Sequence, residues 1–476
     1  MTRARRVLAA LTAGIGAMAA APPAMAAAEA PHIDGSVLGL LWAVPFAGIL
    51  LSIAIMPLVA PAFWHHHFGK VSAAWAVAFV VPATLVFGAD VAAYELLHTL
   101  LLEYVPFIVL LWALFTVVGG IRLVGDLRSS AATNTAMLAV GTVLASWMGT
   151  TGAAMLMIRP LIRANEWRKH QAHVMVFLIF LVANVGGALT PIGDPPLFLG
   201  FLKGVPFFWP TTALFLPMLL VAGILLAVFF LLDSYLFSRE PGRPPNDQSG
   251  ERLGVEGGVN ILLLGAIVGA VLLRGIWHSG VELTVYHVPV PLESIASNLL
   301  LVAIGLLSLR LTREDTRLGN AFSWGPILEV AKLFAGIFVT IVPMIAILRA
   351  GRDGAMAGLV ALVTTPDGRP IDAWYFWLAG GLSSFLDNAP TYLVFFNLAG
   401  GDPAQLTGAL ASTLTAISAG AVFMGANTYI GNAPNFMVKA IAEERGVKMP
   451  SFFGYMAWAG IFLVPLFALT TLVFFR

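Results

Sequence analysis

Two aspartates stand inside apolar stretches of this chain where a charge is costly. Asp194 lies in NVGGALTPIGDPPLF, residues 184–198, and Asp387 in SSFLDNAPT, residues 383–391. A charged carboxylate at the centre of a bilayer costs at least about 2.5–3.5 kcal/mol, so such a residue ordinarily marks an ion path or a proton relay. Neutral oxygens accompany both acids: Asn184 and Thr190 near Asp194, Asn388 beside Asp387, and Asn427 and Asn432 in the related stretch ANTYIGNAPNF, residues 426–436. Carboxylate, amide and hydroxyl oxygens suit a hard cation. A desolvated carboxylate can instead carry a proton. One acid can therefore hold either occupant, and that competition is the elementary step of cation–proton exchange.

The residues around the acids are unsuited to a continuous helix. Pro195, Pro196 and Pro434 lack an N–H, and Gly193 and Gly431 lower the cost of leaving helical geometry. A helix interrupted at mid-membrane frees backbone carbonyls and N–H groups, which only protein or a wet cavity can satisfy. The interruptions are thus candidate helix-breaking devices at an ion site.

What must position them follows from composition. With 59% apolar and 11% charged residues, and a mean hydropathy of +0.88, the chain lies outside the range of soluble domains. Runs long enough for the roughly 20 residues of a membrane helix include 37–64, 104–123, 211–236 and 327–348; further apolar segments read as spans lie at 71–88, 259–273, 294–309 and 452–475. The expected fold class is an all-α polytopic membrane protein with the lipid bilayer as its surroundings. A net charge of +1 and the lack of a basic tract argue against a nucleic-acid partner. With no cysteine there is no disulfide, iron–sulfur cluster or thiolate zinc site. The expected cofactor set is none, with Na+ and H+ as transported or coupling ions.

Residues 1–26 read as a secretory signal peptide: Arg3, Arg5 and Arg6, an apolar core, then Ala24-Met25-Ala26. An uncleaved first helix is the alternative, and either reading puts the mature N-terminus on the periplasmic side. Alternating from there, basic loops such as that with Arg159, Arg163, Arg168 and Lys169 fall inside, as the positive-inside rule prefers. They do so if 133–160 is a re-entrant hairpin tipped by Thr150 and Thr151. A broken helix at 173–202 and a last span complete a first repeat, 37–236. A polar cytoplasmic linker at 237–258 precedes a second repeat, 259–476, with its hairpin at 373–398 and broken helix at 406–439. Five crossings plus a hairpin per half give the halves opposite orientation.

The local sequence supports this. TPIGDPPLF (190–198) lies over TYIGNAPNF (428–436), sharing threonine, isoleucine, glycine, proline and phenylalanine. Matched interruptions in inverted halves characterise secondary transporters and locate their substrate sites. The acids are complementary: the first half has Asp194 on its broken helix and a neutral hairpin tip, the second has Asp387 on its hairpin and Asn432 on its broken helix. Bland readings remain beside these. Either aspartate can simply cap a helix, the asparagines can be interhelical hydrogen-bond partners, and the threonines can bond their own backbone. His65-His66-His67 reads as a solvated loop rather than a metal site, and Arg159 and Lys439 as snorkelling side chains.

The motifs NVGG and TPIGDPP (184–187, 190–196), SFLDN (384–388) and AIAE (440–443) resemble the broken-helix signature of the ion transporter superfamily. That superfamily includes arsenite permeases, sodium/proton antiporters and citrate or dicarboxylate carriers. The resemblance covers most of the chain after residue 37 and is strongest to the bacterial branch labelled sodium/proton antiporter or citrate transporter. It implies a scaffold domain, a moving transport domain of hairpins and broken helices, elevator-like alternating access and a homodimer. The neutral first tip, Thr150-Thr151-Gly152, departs from relatives with acidic or Asn-rich tips. The resulting expectation is a multi-pass sodium (or lithium)/proton antiporter of the bacterial inner membrane, not an enzyme. The alternative is a cation-coupled carrier of citrate or a related organic anion.

Overall fold

A computed structural model describes residues 32–125, 127–242 and 254–476. The signal-peptide reading, and residues 243–253 of the expected linker, lie outside the described residues. The protein is an all-α polytopic membrane protein. Among the described residues, nine helices are long and apolar enough to cross a membrane. Two short antiparallel ribbons are the exceptions: Arg122–Val124 with Gly254–Glu256, and Glu282–Val285 with Val288–Pro291. The expected linker is thus not wholly irregular. It begins after the helix Trp209–Phe237, and its end forms a strand against the end of an earlier span.

The helices form two groups that pack mainly among themselves. One comprises Val44–Val59, Pro61–Phe87, Ala89–Val118, Val259–Ile276, Leu292–Leu311 and Gly325–Arg349. The other holds the candidate site. In it the broken stretch beginning at Ala172 is almost entirely buried, whereas Pro61–Phe87 and Val259–Ile276 leave most of their length exposed. An apolar helix with an apolar exposed surface is stable only against lipid. The polar interruptions are accordingly shielded from lipid by the helices around them.

Several expected boundaries move. A loop was expected at 65–70, around the histidines and Lys70. Instead the break falls at Ala60 (φ −139°, ψ 61°), and Pro61 opens a 27-residue helix that carries His65, His66, His67 and Lys70. The residue before a proline is driven out of helical geometry, which outweighs the polarity of three histidines. The stretch with Asp90, Glu95 and Glu103 was expected to be an outer segment. It is helical too, running through a π turn at Leu100–Tyr104 into Val105–Val118. Glu103 is buried there against Lys203 at 2.5 Å.

Arg168, expected in a solvated basic loop, is fully buried. It pairs with Asp233 at 2.6 Å, and His173 Nε2 lies 2.7 Å from the same carboxylate. Asn134 donates to Asp233 (2.8 Å) and Asn165 accepts from Arg168 (3.0 Å). Because Asn134 and Asn165 sit at opposite ends of a helix–turn–helix pair, this network closes its base and ties it to Trp209–Phe237. A buried charge without a partner costs several kcal/mol, so these groups hold one another in register.

Candidate ion-binding site

The site is assembled from two helical hairpins and two interrupted helices. The first hairpin is Ala131–Met148 and Thr150–Asn165, turning at Gly149. Gly149 has φ +81°, a conformation that residues with a Cβ rarely adopt. The second hairpin is Asp372–Ser383 and Asn388–Leu398. The first interrupted helix runs Ala172–Leu181, then a 3-10 turn Val185–Leu189, then Pro195–Leu202. The second runs Ala411–Met424, a 3-10 turn Gly425–Asn427, then Ala433–Glu444.

The two halves repeat the same hydrogen bonds 238 residues apart, the separation of Asp194 and Asn432. Ser146 Oγ donates to Gly186 O at 2.6 Å, and Ser384 Oγ to Met424 O at 3.1 Å. Thr190 donates to Ser146 O, and Thr428 to Ser384 O. Each threonine then accepts from the backbone two residues on, Ile192 N–H and Ile430 N–H, both at 3.2 Å. These bonds satisfy backbone groups that the interruptions release, and they lock each hairpin to its own interrupted helix. Thr190 and Thr428 are therefore framework, with their hydroxyls committed to the backbone.

The glycines and prolines act differently from the expectation. Neither Gly193 nor Gly431 has a positive φ. A Cβ on Gly193 would lie 2.2 Å from Gly187 O, and one on Gly431 2.5 Å from Gly425 O. Their requirement is space for a close backbone approach. Pro195 and Pro196 begin the second half of the first interrupted helix, and Pro434 occupies the second position of Ala433–Glu444. There a missing N–H costs nothing.

Asp194 stands where both halves meet, with 1% of its surface exposed. It occupies the N-cap position of Pro195–Leu202, yet its side chain makes no capping bond. Its carboxylate accepts instead from Thr150 Oγ1 (3.2 Å, to Oδ1), Asn432 Nδ2 (3.4 Å, to Oδ1) and Asn388 Nδ2 (2.7 Å, to Oδ2). Thr150 comes from the first hairpin, Asn388 from the equivalent position of the second hairpin, and Asn432 from the second interrupted helix. The Thr150 N–H also reaches Gly193 O at 2.9 Å. No lysine, arginine or histidine pairs with Asp194 among the described residues. Three neutral donors orient the carboxylate without cancelling its charge, so the site requires a proton or a cation for neutrality.

The remaining candidates divide. Asn184 is buried and donates to Ile179 O (2.8 Å) and Asn435 Oδ1 (2.7 Å), while its oxygen accepts from Asn432 (3.3 Å). It supports the cluster from one layer behind. Asn427 donates to Ser384 Oγ at 2.9 Å. Asp387 is the N-cap of Asn388–Leu398 and accepts from Ala389 N–H at 3.0 Å. It hydrogen-bonds none of the residues around Asp194. The Thr151 hydroxyl makes no hydrogen bond among the described residues, and its backbone belongs to the helix Thr150–Asn165. Two amide oxygens, Asn388 Oδ1 and Asn427 Oδ1, are buried without a partner. Unsatisfied acceptors in a buried cluster are unusual, and they supply the kind of oxygen that Na+ accepts.

Three residues escaped the sequence reading: Ser146, Ser384 and Asn435. Asn435 bridges Asn184 to Gly425 O (2.8 Å) and Thr428 O (2.9 Å). The serines were accessible in principle, because extending the 190/428 match backwards at the same separation places SWMGT (146–150) over SFLDN (384–388). Among the described residues, no group of three or more His, Cys, Asp or Glu side chains could hold a metal ion.

The family model described as "Putative citrate transport" matches residues 35–475, nearly the whole described chain. No curated protein matches it. A match of that extent, on a multi-pass helical protein whose interrupted helices meet at a buried carboxylate, identifies the chain as a member of this citrate-transport family.

Proposed function

We propose that this protein is a secondary active carrier of citrate or a related organic anion, coupled to Na+ or H+ and working by alternating access in a bacterial inner membrane. Asp194 carries the coupling. Its carboxylate is buried among Thr150, Asn388 and Asn432 with no cationic partner, and that single observation supports a binding site for a proton or cation. Membership of a citrate-transport family supports the anion. A cation at Asp194, completed by the free oxygens of Asn388 and Asn427, would place positive charge between the two hairpin tips, where an anionic substrate gains from it. Binding of one then favours the other, as coupled transport requires. Thr150 and Asn388 come from opposite hairpins, so an occupied site also draws the two inverted repeats together. The hairpins and interrupted helices, with Trp209–Phe237 and Phe452–Phe474, form the moving transport domain, and the six spans of the first group form the scaffold.

Sodium/proton exchange without an organic substrate is the second reading. It is favoured by the lack, among the described residues, of any arginine or lysine bonded to Asp194, Asn388 or Asn432. Purified protein in liposomes separates the two. Radiolabelled citrate uptake driven by an imposed Na+ or pH gradient supports the carrier. Dissipation of an imposed pH gradient on adding Na+ or Li+ alone, with no citrate uptake, supports the exchanger.

A further inference from the structure

Arg159 is unusual among the charged groups near the site. It lies on the outgoing arm Thr150–Asn165 of the first hairpin, about 13 Å along the helix axis from the tip. Gly152, Met155, Leu156 and Arg159 share one helix face by spacing. That face meets the end of the scaffold span Val105–Val118: a Cβ on Gly152 would lie 2.9 Å from a methyl of Val118. Met155, Leu156 and Arg159 line a small cleft of about 10 Å³ with Val118, Ile121 and Asn320. Arg159 thus sits in the seam between the hairpin and the scaffold.

Its guanidinium lacks a counter-ion. Nε and Nη1 are buried and have no hydrogen-bond partner, and no carboxylate lies within ion-pair distance among the described residues. A snorkelling arginine would carry these nitrogens into water. Each buried N–H left unmet costs about 1–3 kcal/mol. Arg122 and Arg445 add positive charge nearby, and Glu444 offsets part of it. The surroundings therefore favour an incoming anion. The carbonyls at the end of the scaffold span, which would otherwise compete for the guanidinium, are already taken: Asn320 donates to Gly119 O (3.0 Å) and Ile121 O (2.7 Å).

The second half has a counterpart. Asn397 lies 238 residues after Arg159, the separation that relates the two sites. It accepts from Arg349 Nε at 2.9 Å, and Arg349 ends the scaffold span Gly325–Arg349. Arg159 on the hairpin in one half and Arg349 on the scaffold in the other thus lie at the same level of the two hairpin arms.

We infer that Arg159 is a carboxylate-binding subsite in the hairpin–scaffold seam, which takes one carboxylate of the organic anion when the seam opens and passes it towards Asp194. This rests on the anion-carrier reading. Nε–H and Nη1–H are free but lie on different edges of the guanidinium, so each can give a carboxylate oxygen one charge-assisted hydrogen bond. A fixed positive charge in a low-dielectric cleft also raises the local anion concentration. At about 10 Å³ the cleft has room for about one water. The arginine therefore engages substrate only in the conformation where the hairpin has moved off Val118.

The chain has no cysteine, so Met155→Cys introduces its sole thiol beside Arg159. Maleimide labelling of that variant in membranes should slow at least fivefold with citrate present and stay unchanged with glycerol. In proteoliposomes, Arg159→Gln should raise the citrate KM roughly tenfold or more, measured from one face of the membrane, and leave the Na+ dependence in place. Arg159→Lys should recover part of that loss, because it restores the charge without the guanidinium's spread of donors. Citrate uptake by the wild type, with unprotected labelling and an unchanged KM in Arg159→Gln, overturns the subsite and leaves the carrier reading standing. Absence of citrate uptake by the wild type overturns both. If Arg159→Gln does not insert, the labelling of Met155→Cys, which keeps Arg159, decides alone.

Discussion

Replacing Asp194 by asparagine should leave the fold nearly unchanged and remove cation binding. The carboxylate accepts three hydrogen bonds from neutral donors, and Asn keeps one of its two oxygens. The new NH2 would face a donor, most directly the Asn388 amide at 2.7 Å. Asn388 Oδ1 has no partner, so turning that amide over presents an acceptor instead. All three charge-assisted hydrogen bonds become neutral, a loss offset by removing a buried charge that has no cationic partner among the described residues, so the net change is about 1 kcal/mol. Function has far more to lose. A monovalent cation about 2.5 Å from a carboxylate interacts by about 7 kcal/mol at an effective dielectric near 20. If dehydration cancels more than half, roughly 2.7 kcal/mol remains, a hundredfold in affinity. The assay is Na+-dependent thermal stabilisation of the purified protein. Wild type should gain Tm with rising Na+, whereas Asp194→Asn should start within about 3 °C of wild type and show no gain up to a hundredfold higher Na+. A full Na+ response in Asp194→Asn would refute the reasoning.

Four further outcomes follow from the same geometry. Gly193→Ala places a Cβ 2.2 Å from Gly187 O; overpacking of this kind should cost about 1–3 kcal/mol, read as a lowered Tm with loss of uptake. Asp233→Ala leaves Arg168 with Glu240, at 3.5 Å, as its remaining ion-pair partner and takes the acceptor from His173 and Asn134; it should destabilise by about 1–3 kcal/mol in thermal unfolding. Asp387→Asn can still accept from Ala389 N–H, so its effect on Na+ affinity should be smaller than that of Asp194→Asn in the same titration. Beyond the end of its span, Glu240 feels burial pushing its carboxyl up. The N–H groups of Lys169 and His170, the His170 ring and Arg168 outweigh this and hold it below the ordinary 4.5. A lowered folded-state value means stability that is complete above 4.5 and lost as pH falls through the lowered value. Glu240→Gln should therefore lower Tm at neutral pH, flatten the acid limb of a Tm-against-pH curve, and leave Tm little changed below that lowered value.

The membrane fold was legible because hydrophobicity at helix length is a strong signal, and the interruptions were legible because Gly and Pro mark backbone departures directly. That an acid within a broken helix is a candidate site residue was also readable. Partnerships were not. Nothing local distinguishes Asp194, whose carboxylate meets both halves, from Asp387, which caps its own helix. That difference is set by how two hairpins face each other across a separation of 194 residues. Arg168 illustrates the same limit: a basic residue in a short polar stretch reads as solvated, and only the fold brings Asp233 to it. The helix carrying His65, His66 and His67 shows the opposite error, a polar cluster mistaken for a loop when Pro61 already marked the boundary. Gly193 and Gly431 stood out in the sequence as helix breakers, whereas the need the structure shows is room for a carbonyl rather than freedom of φ.

The most direct test of the central claim is uptake of radiolabelled citrate by the purified protein in liposomes, with Na+ or pH gradients imposed separately. The account predicts accumulation above equilibrium that depends on one of these gradients and is abolished in Asp194→Asn. Citrate-independent exchange of Na+ for protons, or citrate entry that ignores both gradients, would contradict it.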